Sequence, residues 1–249
     1  MRYRELILAV AGVSVCGLPA AAQDVVDAGT VVPEGWPDQN LYVENAWSVD
    51  RLFGRDVMGP GGERIGDVED VVMNDDGMVV ALIAEVGGFW DIGDTHVSVP
   101  WDMVEIGQDG SVTIPVTQDT ITDYDLFDSS GLPEGAEISA EVVEGVDDAE
   151  LGVGLWRASE LMSDYVRVVG DDATWVNFGY VSDLIVLDGA IDATIVSTTA
   201  RYGPATYAYP YRGGTVDGYG MWRPAASTYD LPILESDATS LPEFDGDGM

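Results

Sequence analysis

Apolar residues along this chain recur with the spacing of strands rather than helices. Val68 to Met73 is largely β-branched and apolar, and Val79 to Val86 is nearly continuous in apolar side chains. His96-Val97-Ser98-Val99 alternates, as does the stretch from Ser111 to Pro115. Alternation puts successive side chains on opposite faces of a strand. The interruptions are turn residues. Gly59-Pro60-Gly61-Gly62 separates two short runs, and Asn74-Asp75-Asp76-Gly77 supplies the positive φ that a tight hairpin needs. Gly87-Gly88 breaks the next strand and Pro100 ends the one after it. No long 3.6-residue pattern occurs, so five or six short strands predict a small β-barrel or sandwich.

The same features return in the same order further along. Gly66-Asp67-Val68-Glu69-Asp70-Val71-Val72 comes back as Gly179-Tyr180-Val181-Ser182-Asp183-Leu184-Ile185. Asp76-Gly77 returns as Asp188-Gly189, Ala81 and Ile83 as Ala193 and Ile195, and Trp47 and Leu52 as Trp156 and Leu161. Val97-Ser98-Val99-Pro100-Trp101 matches Tyr207-Ala208-Tyr209-Pro210-Tyr211. A shared order at a nearly constant offset reads as a duplicated unit, with small insertions and deletions in loops. The fold expected is therefore all-β: two small antiparallel β-barrels in tandem, over residues 47–128 and 156–249. Residues 23–46 form an extended N-terminal arm, and 129–155 an acidic linker that could hold a strand or short helix at 138–143. One short helix is expected within 236–249.

The first 22 residues read as a secretory signal. Arg2 and Arg4 precede the ten-residue apolar stretch Leu6 to Val15, and Ala20-Ala21-Ala22 fits the small-x-small cleavage rule, with cleavage expected after Ala22. An uncleaved anchor is the alternative, but the apolar stretch falls short of the roughly 20 residues of a spanning helix. Export to the periplasm is the expected destination, and no transmembrane segment is expected once the signal is cleaved. Cys16 is the sole cysteine and lies within the signal, so neither disulfides nor thiol chemistry is expected in the mature chain.

Charge removes further functions. Asp plus Glu number 45 against 10 basic residues, all of them Arg, for a net charge of -35. Nucleic-acid binding relies on Lys and Arg displacing counterions, and docking on anionic lipid needs a basic patch, so neither partner is expected. Without lysine, a Schiff-base or P-loop mechanism is impossible.

Four stretches, taken in order, resemble the PRC-barrel domain family. They are Arg51-Leu52-Phe53-Gly54-Arg55-Asp56-Val57, Gly61-Gly62-Glu63-Arg64-Ile65-Gly66-Asp67-Val68-Glu69-Asp70, Val86-Gly87-Gly88-Phe89-Trp90-Asp91-Ile92-Gly93, and Val97-Ser98-Val99-Pro100-Trp101. The resemblance covers about residues 47–128. The second unit keeps Gly179, Val181, Asp183 and the Tyr-Pro-Tyr ending, but has Thr199-Ala200-Arg201-Tyr202-Gly203 in place of the Gly-Gly-Phe turn, and so resembles a degenerate copy. The resemblance implies a compact six-stranded barrel. It also implies a role as a surface for protein partners, as in the soluble part of the photosynthetic reaction-centre H subunit and in a ribosome-maturation factor, rather than as a catalytic site.

No catalytic constellation stands out, and no catalytic, cofactor-binding or metal-binding residue is assigned. His96 is the only histidine and reads either as a strand-edge residue or as a ligand beside a carboxylate. Paired carboxylates such as Asp75-Asp76 and Asp147-Asp148 read as solvated turn residues. Diffuse cation binding is expected of so acidic a chain; a dedicated site is not. The aromatics point elsewhere. Phe89 and Trp90 follow a double glycine, Trp101 follows a strand-ending proline, and Tyr207, Tyr209 and Tyr211 share one strand face. That face is either part of a core or an exposed stripe for a partner. Phe89, Trp90, Trp101, Tyr207 and Tyr209 are the candidate interaction residues. The expected function is a non-enzymatic adaptor or scaffold binding an envelope or secreted protein. The alternative is a small-molecule or cation-binding module on the acidic surface or between the barrels.

Overall fold

The computed structural model of the chain describes residues 36, 41, 46–87, 95–107, 109–124, 151, 154–211, 222–223 and 227–246. The first half contributes β1 (Ala46–Ser48), β2 (Asp56–Met58), β3 (Arg64–Asn74), β4 (Val79–Val86), β5 (Thr95–Pro100), β6 (Glu105–Ile106) and β7 (Val112–Thr113). The second contributes β8 (Leu155–Arg157), β9 (Tyr165–Val169), β10 (Trp175–Leu187), β11 (Ala190–Thr198), β12 (Thr206–Pro210), β13 (Trp222–Arg223) and β14 (Thr228–Leu234). Among the described residues, three short α-helices follow strands: α1 (Val49–Leu52), α2 (Ala158–Leu161) and α3 (Glu235–Ala238).

These strands form two sheets, ordered β5-β4-β3-β2-β7-β6 and β12-β11-β10-β9-β14-β13. The two orders are the same once each strand is replaced by the one seven places later. The all-β class is as expected, with two refinements. One pair in each sheet, β2–β7 and β9–β14, is parallel. Hydrogen bonding closes neither sheet among the described residues. A strand's own residue pattern sets which faces are apolar and not the direction of its neighbour, so the parallel pairs are invisible in the sequence.

The irregularities repeat as well. β3 is bulged between Val68 and Asp70, and β10 between Val181 and Asp183. Each bulge leaves one residue unpaired, Glu69 in the first sheet and Ser182 in the second, and re-aims the aspartate that follows.

The opening strand of each half does not join its own sheet. β1 pairs with β10, setting Trp47 opposite Val186, and β8 pairs with β3, setting Trp156 opposite Met73. The tandem units are therefore interleaved by an exchange of edge segments. The exchange explains why β4 is apolar on consecutive positions. Leu82, Ala84 and Val86 face the main core, while Ala81 and Ile83 join Val72 on the opposite face, beneath Leu151 and Leu155 of the second half. Reciprocally, Ile185, Ala193, Ile195 and Ala208 are packed against Trp36, Leu41 and Ala46 from the N-terminal arm. Trp36 is 6% exposed, and its indole N–H donates to the Ala208 carbonyl at 3.0 Å. Covering a large aliphatic side chain in this way stabilises by roughly 1.5–3 kcal/mol.

Candidate functional site

The repeated aspartates of the two bulges sit where the halves meet. Asp70 accepts hydrogen bonds from the Ser159 N–H and hydroxyl at the start of α2, and from the Val71 N–H at 2.7 Å. Asp183 accepts from the Ser48 hydroxyl at 2.6 Å, the Asp50 N–H at 2.9 Å and the Leu184 N–H at 2.7 Å. Each therefore caps the first turn of a helix from the other half, where unsatisfied N–H groups and the positive end of the helix dipole favour a carboxylate. Burial raises both carboxyls above the usual range, partly offset by these hydrogen bonds.

The hairpin turns meet across the same seam. The Val79 N–H donates to the Gly189 carbonyl and the Ile191 N–H to the Gly77 carbonyl, each at 2.9 Å. Gly77 adopts φ +77°, and a Cβ there would lie 2.5 Å from the Tyr211 ring, so both the turn and the packing demand glycine.

The seam also accounts for Trp101. It is half-buried, stacks on Trp47 with ring centroids 4.9 Å apart, and lies beside Gly189 of the opposite turn. Tyr207 and Tyr209 correct the idea of an exposed stripe. They are 7% and 1% exposed and pack around Phe178 in the main core, so neither is open to a partner. The Tyr209 hydroxyl donates to the Ala238 carbonyl, and burial pushes its pKa well up. The reason is register: residues 207 and 209 of β12 face inward opposite Val196 and Thr194 of β11. Phe89 and Trp90 lie outside the described residues.

The exposed aromatics are others. Tyr165 and Tyr180 are 58% and 45% exposed and directly opposite each other on β9 and β10. Beside them on the same face, Asn177 is opposite Arg167. The Arg167 guanidinium holds Asp230 through two hydrogen bonds of 2.7 and 2.8 Å and lies 5.6 Å from the centre of the Trp175 ring. The first sheet makes the comparison from within the same chain. Its equivalent pair, again directly opposite, is Asp56 and Asp67, both salt-bridged to Arg64. One copy of this face is thus an ion cluster, and the other an aromatic–arginine surface of the composition that protein interfaces favour. The offset that aligns Gly66-Asp67 with Gly179-Tyr180 already places Tyr180 where the first unit has Asp67. What the sequence lacks is the cross-strand register that puts Tyr165 beside it.

Residues 44–121 match the family model of the PRC-barrel domain. No curated protein matches the chain.

Proposed function

We propose that this chain, which carries a PRC-barrel domain over residues 44–121, is a non-enzymatic adaptor of the cell envelope that docks a basic protein on its Tyr165–Tyr180 face. The observation behind this reading is the difference between the two equivalent sheet faces. Where the first has Asp56, Asp67 and Arg64 satisfying one another, the second leaves two tyrosines open to solvent. Tyrosines on paired strands offer large, rigid, amphipathic contact area at low entropic cost. A basic partner follows from charge. At net -35 the molecule attracts cationic surfaces over a distance, and tyrosine faces accept Lys and Arg side chains at contact. PRC-barrel domains are generally non-catalytic, and the buried carboxyls Asp70 and Asp183 are occupied as helix caps. Export rests on the signal-like pattern of residues 1–22.

The test uses purified full-length protein and the variant Y165D/Y180D, which installs the residues that the first sheet carries at these positions. Each is immobilised and exposed to envelope extract at about 50 and about 300 mM salt, conditions that span a severalfold change in screening. The expected result is a discrete basic protein that the parent retains at low salt and releases at high salt, that the variant does not retain, and that rebinds when purified. Equal retention by the variant, or nothing retained at low salt, overturns the reading. Export is checked separately by fractionation and intact-mass measurement, which should find a chain beginning at Gln23. A chain retaining residues 1–22 in the membrane fraction would contradict it.

A further inference from the structure

We infer that Glu69, Glu85 and His96 form a binding site for one divalent transition-metal cation of the zinc type on the outer face of the first sheet. One ligand atom from each of the three residues lies within 4.8 Å of the other two. The three come from adjacent strands, and the fold holds their positions. Glu85 and His96 are directly opposite each other on β4 and β5, and Glu69 is the unpaired residue of the β3 bulge. A bulge re-aims one side chain out of the regular alternation, and here it brings a carboxylate toward the Glu85–His96 pair.

The second sheet supplies an internal comparison. By the same register, its residues at these places are Ser182 in the β10 bulge and the facing pair Ser197 and Thr206 on β11 and β12. The fold therefore accepts small hydroxyl residues at all three positions. Packing does not require Glu, Glu and His there, and the only histidine of the chain lies among them. Arg64 is bound to Asp56 and to Asp67, the residue opposite Glu85 on β3 and β4, so its charge is committed to those two carboxylates.

The donor set selects the class of ion. Imidazole suits zinc, copper, nickel and iron, whereas calcium and magnesium take oxygen ligands alone. Three protein ligands leave one position of a tetrahedral zinc for water or for a group from a partner. Tetrahedral zinc with bonds of 2.0–2.1 Å sets its ligands about 3.3 Å apart. Side chains that are exposed or half-buried, as these are, can close that difference by rotation. The net charge concentrates cations at the surface in general, and the triad adds a specific place for one.

The experiment uses full-length protein stripped with a chelator, and Zn²⁺ as the probe, in buffer at about 0.15 M salt to screen diffuse binding. Titration calorimetry should show one saturable equivalent of Zn²⁺ above a weak background. Because the chain has a single imidazole, its NMR resonances give a direct readout and should shift in step with that equivalent. The variant E69S/E85S/H96T carries the residue types of the second sheet. It should keep the parent's circular dichroism while losing the saturable equivalent. Mg²⁺ and Ca²⁺ should bind parent and variant alike and leave the parent's imidazole resonances in place. The proposal is overturned by Zn²⁺ isotherms that are the same for parent and variant, by purely diffuse binding to the parent, or by imidazole resonances that Zn²⁺ does not move.

Discussion

Asp70 and Asp183 show how much one repeated residue can carry. Each is the aspartate that follows a bulge, and each ends up satisfying backbone N–H groups of the opposite half. Replacing Asp70 by Ala removes the acceptor for the Ser159 and Val71 N–H groups. Leaving such groups without partners costs about 1–3 kcal/mol, measurable as a lower midpoint in urea unfolding. D70N should cost less, because an amide oxygen still accepts both N–H bonds and the amide NH₂ can donate to the Ser159 hydroxyl. The same pair predicts a pH dependence. Both carboxyls have folded pKa values above their unfolded ones, so the folded state holds more protons in the interval between the two. Their contribution to stability is complete below the unfolded pKa of about 4 and is lost as pH rises through the raised folded values. Melting temperature should therefore rise as pH is lowered through the raised folded values toward about 4. D70N/D183N should flatten that slope, and an unchanged slope would remove these residues as its cause.

At the level of elements, the exchanged strands decide the architecture. β1 and β8 each add to the other half's sheet, and the segments before them cover apolar faces that β4 and β11 would otherwise expose. Trp36→Ala should cost about 3 kcal/mol, since it empties a buried aromatic site and frees the Ala208 carbonyl. A chain cut after residue 128 would keep the span that matches the PRC-barrel family but lose β8, Leu151 and Leu155, which cover Val72, Ala81 and Ile83. It should bind a hydrophobic dye and melt without a cooperative transition; a sharp, dye-free transition would show the first half to be independent. Much of this level was legible in the sequence. The nearly continuous apolar run of Val79 to Val86 already marked a strand; its burial on both faces came from the structure. Which segment supplies the second cover was not legible, because in an arm such as residues 36–46 the anchors Trp36, Leu41 and Ala46 are separated mostly by polar residues and follow no strand period.

On the scale of the molecule, the dominant property is a charge of -35 spread over both halves. Like charges repel most in the compact state, and salt screens them, with a Debye length of about 10 Å at 0.1 M. Melting temperature should rise between about 10 and about 200 mM sodium chloride, and a flat response would contradict this. Measuring the pH effect at the higher salt separates it from general repulsion, because screening weakens surface pairs more than buried carboxyls.

What the sequence determined by itself were quantities written in short windows: strand period, turn chemistry, the repeat and the charge. Each depends on residues near one another in the chain. Those windows sufficed for the all-β class and for the PRC-barrel resemblance of the first half. The tertiary structure alone decided which faces meet. It buried Tyr207 and Tyr209, exposed Tyr165 and Tyr180, exchanged β1 and β8, and brought Glu69 to the Glu85–His96 pair. The physical reason is that register and bulges set facing. One extra residue in a strand turns side chains to the other side of a sheet, and no local composition records that choice.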